Sequence, residues 1–219
     1  MTGRKARTLI RPGSAAKTPL WMAFAGATCL VLTLLGSPAV AGNSGDLFLL
    51  PKQKTSAPGG FSSVCARYPW ACARTGDTRH STETVIRLAK AVNARVNKAT
   101  VEITDRRQYG REEVWAMPTA RGGDCEDFAL AKKYELVSRG VPSESLLIAT
   151  VLDRNLENHA VLILRTKRGD LVLDNLTSKV LPWRQTGYTF LKLQNPNALA
   201  TWHAVIAGGV IKDRRVASN

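Results

Sequence analysis

The 219 residues are enough for one domain with a real core and an N-terminal extension. A formal charge of +14 invites a nucleic-acid or membrane reading, but Arg4, Lys5, Arg7, Arg11 and Lys17 all fall in Met1–Ala41, which carries no acid. The other basic residues are scattered, and phosphate binding needs clustered charge, so composition argues for a solvated basic surface and against a nucleic-acid partner.

The first element reads as a targeting segment. A basic stretch precedes the apolar run "LWMAFAGATCLVLTLLG", and "SPAVA" offers small residues at Ala39 and Ala41, the layout of a secretory signal (residues 1–41) cleaved after Ala41. The alternative is a retained anchor, although Leu20–Leu35 falls short of the ~20 apolar residues that a span needs. Export places the mature chain in the periplasm of a Gram-negative source. It also leaves three cysteines. Cys65 and Cys72, spaced C-x6-C in "CARYPWAC", are expected to pair in an oxidising compartment. No second cysteine pair or closely spaced histidines follow, which disfavours zinc. The odd thiol, Cys125, is a candidate nucleophile.

Residues 42–60, rich in Gly, Ser, Pro and Lys, read as a flexible lead-in to a domain at 61–219. From Ser81, apolar residues at Val85, Leu88, Ala89, Val92 and Val96 recur at helical steps. "DRRQYGREEVWAMPTARGG" has no periodicity and reads as a surface loop, with Trp115 placed either in a cleft or in the core. A helix then begins at Asp124, expected as N-cap with Asp127 as capping-box partner. Gly140 supplies its left-handed end and Pro142 blocks continuation. Apolar nearly all round, this helix belongs in the core, with Cys125 in its first turn at the mouth of that core. Strands are expected at Leu146–Leu152, Ala160–Arg165 and Leu171–Leu176, the last two forming a hairpin, with another near Tyr188. Helices first and strands last indicate an α+β domain with an antiparallel sheet.

A cysteine nucleophile needs a base and an orienting acceptor. His159 opens the first hairpin strand and Asp174 lies in the second. A hairpin with an even loop puts both on one side, with a slide of two to four residues between them. Each residue alone has a plainer reading: a packed thiol, a solvated histidine, a turn aspartate. Together they match the template of acyl-transfer sites. His80 and His203 have no motif partners.

The segments "GGDCEDFALAKKYEL", "NHAVLIL", "LVLDNL" and "PW", with "CARYPWAC", "VNARVN", "DRRQYG" and "VWAMPT" upstream, resemble the bacterial transglutaminase-like cysteine peptidase family over roughly Phe61 to Trp202. The resemblance implies a papain/transglutaminase-like fold and a catalytic triad of Cys125, His159 and Asp174. LapG-type members are periplasmic proteases that release a large adhesin from the cell surface, so it also implies an exported protein substrate such as a biofilm adhesin, and an inner-membrane regulatory receptor. In those members the acids flanking the cysteine bind calcium. Asp124 and Glu126 hold these places, where the competing reading is plain helix capping without a metal. Two other functions fit the same residues: an acyltransferase that cross-links proteins, and a non-catalytic binding module. The intact Cys, His and Asp set speaks against the module.

Overall fold

The computed structural model describes residues 47–211. The expected signal segment, residues 1–41, lies outside the described residues. A two-residue strand β1 (Lys54–Thr55) precedes two one-turn helices, α1 (Val64–Arg67) and α2 (Pro69–Cys72). These two helices are linked by the Cys65–Cys72 disulfide, Cα–Cα 5.4 Å. Helices α3 (Thr82–Ala99), α4 (Asp105–Tyr109) and α5 (Cys125–Ser138) come next. Strands β2 (Leu146–Leu152), β3 (Asn158–Thr166), β4 (Gly169–Leu173), β5 (Leu181–Pro182), β6 (Thr189–Asn195) and β7 (Ala198–Gly208) complete the order. The seven strands form one antiparallel sheet in the order β1-β7-β6-β2-β3-β4-β5. The domain is therefore α+β, with the helices packed on an antiparallel sheet.

Local signals account for the main helices. The Ser81 hydroxyl accepts from the Thr84 amide and starts α3, whose buried stripe is Val85, Ala89, Val92 and Val96. This stripe joins Phe128, Ala129, Leu130 and Leu136 of α5 and Ile148, Leu162 and Leu173 of the sheet in one core. Helix α5 ends in a Schellman motif. Val141 N donates to Leu136 O (3.0 Å), Gly140 N to Val137 O (2.9 Å), and Gly140 takes a φ of 83°.

Five features depart from expectation. The proposed capping box does not form, because both side chains are drawn to the preceding loop. Asp124 Oδ2 accepts from the Asp105 amide (3.1 Å) and Asp127 Oδ1 from the Ala116 amide (2.8 Å). The loop before the nucleophile contains α4, ended by Gly110 at φ 72°. Part of the lead-in packs on the domain: Leu49 is fully buried, its amide bonded to Asp170 Oδ2 (2.8 Å). Strand β7 was not anticipated; its pairing with β6 is broken by two register shifts. Finally, α5 buries Lys132 and Lys133. Lys133 Nζ donates to Gln194 Oε1 (3.2 Å), and Gln194 also accepts from Ile148 N and donates to Leu199 O.

Candidate active site

Two glycines bring the nucleophile to its place. Gly123 exchanges backbone hydrogen bonds with the segment upstream of α4, donating to Val101 O (3.1 Å) and accepting from Ile103 N (3.0 Å). At Gly122 φ is 121°, and a Cβ would lie 2.0 Å from Val101 O. Only glycine satisfies both the dihedral and that approach. At Gly123 a Cβ would meet the Asp127 carboxylate at 2.6 Å. The loop is thus clamped between an upstream segment and the first turn of α5, where Cys125 is half-buried.

The thiol faces two groups. Its S–H donates to Glu126 Oε2 (3.1 Å), and its sulfur accepts from the Ala160 amide in β3 (3.4 Å). Burial, followed by the Glu126 charge, pushes the thiol pKa far up. Glu126 is itself pushed up to about 8 by burial and then by Asp124. Asp124 is raised by burial and by the charge of Asp105. Ligand oxygens of Asp105, Asp124 and Glu126 lie within 4.8 Å of one another. Asp124 Oδ1 is buried without a hydrogen-bond partner. Asp105, 19 residues upstream of Asp124, opens the "DRRQYG" segment but was not singled out from the sequence as a ligand.

The hairpin supplies the other two groups. Leu162 pairs with Leu173, so the slide between His159 and Asp174 is two residues. Asp174 lies just past the end of β4, and its side chain closes the gap. The His159 Nε2–Asp174 Oδ1 distance is 2.9 Å, and Oδ1 also accepts from the Leu176 amide (3.0 Å). Asp174 Oδ2 accepts from the Tyr188 hydroxyl (2.5 Å). Burial pushes Asp174 upward, but the hydrogen bond and charge of His159, with the Tyr188 hydroxyl, hold it below its usual value. From α3, Asn97 Nδ2 donates to the Asp174 carbonyl (2.8 Å) and to Thr177 O (3.1 Å), and Asn93 Nδ2 also donates to Thr177 O (3.1 Å). These asparagines of "VNARVN" tie down the loop that carries Asp174. Neither they nor Tyr188 were singled out from the sequence, which shows no contact between distant elements.

Cys125 and His159 line one cleft of about 480 Å³ together with Asp105, Asp124, Glu126 and Asn175. Eight of the 17 acidic residues line this cleft, against the single arginine Arg106, so the basic chain presents an acidic site. Trp115 lies in the core rather than the cleft. It is wedged edge-to-face against Phe61 (5.2 Å) and Trp202 (6.3 Å). His80, whose Nε2 meets Arg139 O at 2.9 Å, and His203 stand outside the cleft lining.

Residues 51–209 match the bacterial transglutaminase-like cysteine proteinases. Among solved structures, calcium-bound LapG of Legionella pneumophila is 28% identical at a TM-score of 0.47, covering 60% of this chain and 80% of that one. EGTA-treated LapG of the same organism is 30% identical at a TM-score of 0.44. That match covers 51% of this chain and spans 63% of the LapG chain's length. No functionally curated protein matches.

Proposed function

This chain belongs to the bacterial transglutaminase-like cysteine proteinase family, and on that premise we propose that Cys125, His159 and Asp174 hydrolyse a peptide bond in an exported protein. The observation that carries the triad is the 2.9 Å contact between His159 Nε2 and Asp174 Oδ1, in the cleft that Cys125 also lines. With Nε2 held by the carboxylate, Nδ1 is the nitrogen left to take the thiol proton. The Cys125 thiolate attacks the scissile carbonyl. His159 returns the proton to the leaving amine, and water, deprotonated by the same imidazole, hydrolyses the thioester. At the start of α5 the Cys125 amide has no intrahelical acceptor and is placed to stabilise the oxyanion. The Ala160 amide, already directed at the sulfur, favours the thiolate.

The same reading assigns Asp105, Asp124 and Glu126 to calcium. A hard cation takes carboxylate oxygens, and three carboxylates with converging atoms, one with an unpartnered buried oxygen, fit that requirement. Calcium, when bound, supplies positive charge beside the thiol. Glu126, which accepts the Cys125 S–H here, would be one of the groups holding the cation, and the thiol proton would then be left for His159. The oxygen ligands beyond these three residues are not assigned.

The proposed location is the periplasm, through export by residues 1–41. The proposed substrate is an exported protein, with a surface adhesin as the candidate and an inner-membrane receptor as the regulator. The test compares proteins shed from cells carrying the wild-type chain and the Cys125→Ala chain. A protein released by the first and retained by the second identifies the substrate. Identical shed proteomes, with the wild-type chain exported and folded, would overturn the proposal.

A further inference from the structure

We infer that Tyr188 is a positioning residue of the triad, fixing the Asp174 carboxylate so that one named oxygen faces His159. The inference rests on the triad reading above and extends it to a residue that the cleft does not contain.

The sheet does not hold the Asp174 side chain, because Asp174 lies one residue beyond the last paired position of β4. The terminal torsion of a carboxylate is broad and nearly two-fold, so on its own the group would present either oxygen to the imidazole. Oδ1 takes His159 and the Leu176 amide. The Tyr188 hydroxyl is the donor to Oδ2, and with both oxygens engaged the carboxylate plane is fixed.

Tyr188 is well placed to impose that geometry. It sits directly before β6, and β6 pairs with β2, which pairs with β3 and so with His159 itself. Its backbone follows Gly187 at φ 78°, and its amide donates to Thr186 Oγ1 (3.2 Å). The Thr186 hydroxyl in turn donates to Trp183 O (2.7 Å). The Tyr188 ring is buried and meets the His159 ring edge-to-face, with centroids 5.9 Å apart. One side chain thus touches both the acid and the base, yet does not line the cleft where substrate would lie. A phenol suits the task chemically. It donates a strong hydrogen bond without bringing a formal charge, which would compete with the imidazolium for the carboxylate. Burial and the Asp174 contact push its pKa up, so it remains a donor.

Tyr188→Phe isolates the hydroxyl, because the ring and its packing remain. The probe is hydrolysis of p-nitrophenyl acetate, an activated ester that reports acylation of Cys125, by the mature chain in saturating calcium. The expected result is a kcat lower by roughly tenfold or more, the loss of a hydrogen bond to a charged group, with KM unchanged. The low-field Nε2–H proton resonance of His159 should also shift or broaden, which a merely structural tyrosine would not cause. A folded Tyr188→Phe protein with wild-type kcat and an unmoved resonance would overturn the inference, and so would a raised KM at constant kcat. Asp174→Asn, measured alongside, separates the two levels. If it turned over like wild type the triad assignment itself would fall, whereas a collapse in Asp174→Asn with no change in Tyr188→Phe would remove only the role of the tyrosine.

Discussion

The S–H of Cys125 donates to the carboxylate of its own neighbour, Glu126, at 3.1 Å. The proton of the nucleophile is therefore held by an acid beside it, in a site where burial and that acid both disfavour the thiolate. Such a thiol should alkylate slowly. Calcium should change this, so the rate of iodoacetamide labelling of Cys125 should rise several-fold on adding calcium and fall again with a chelator. Magnesium should substitute poorly, since it keeps its waters and demands a tighter octahedral shell. In Asp124→Ala the rate should not respond to calcium. A labelling rate indifferent to calcium in the wild-type chain would remove the metal from this account.

Among the described residues Cys125 is the free thiol. Labelling of the native, unreduced mature chain should modify Cys125 and leave Cys65 and Cys72 untouched until reduction. Peptide mass analysis reads the result, and stoichiometric labelling of Cys65 before reduction would contradict the disulfide.

Asp174→Asn should lower kcat by about 10⁴-fold, by analogy with the serine triad. The amide oxygen is a weaker partner for an imidazolium than the carboxylate it replaces. Steady-state kinetics on a folded variant, checked by circular dichroism, decides the point.

Gly122→Ala tests the clamp on the nucleophile loop. The added methyl group would strain a φ of 121° and collide with Val101 O. Destabilisation of at least about 2 kcal/mol is expected, read from urea unfolding. Alanine tolerated without loss would mean that the loop has another conformation of similar energy.

The buried lysines predict a pH dependence of stability. Burial lowers the pKa of Lys133 from 10.5 to about 7, against the weaker opposing charge of Glu144. Between these values the unfolded chain binds a proton that the folded chain lacks, so this group's contribution to stability improves as pH rises from about 7 to about 10.5. The slope is at most ~1.4 kcal/mol per pH unit. Lys133→Met should accordingly gain most on the wild type at or below pH 7 and progressively less above it. Urea midpoints measured across this range would refute the idea if the two proteins ran parallel.

What the sequence determined by itself was local or periodic. The start of α3, the Schellman end of α5, the buried character of that helix and the hairpin carrying His159 and Asp174 all follow from short-range signals: a cap, a left-handed glycine, an apolar repeat, a turn. Parity along paired strands placed His159 and Asp174 on one side without any coordinates. The tertiary structure decided how that parity became a contact, through a two-residue slide and an Asp174 placed just past the strand end. It also brought Asp105 to Asp124, Tyr188 and Asn97 to Asp174, and Asp124 and Asp127 away from the cap they were expected to form. These outcomes join segments 11 to 77 residues apart. Capping and periodicity act over three or four residues, whereas carboxylate charge and hydrogen-bond choice follow from which distant groups packing brings into a site stripped of water.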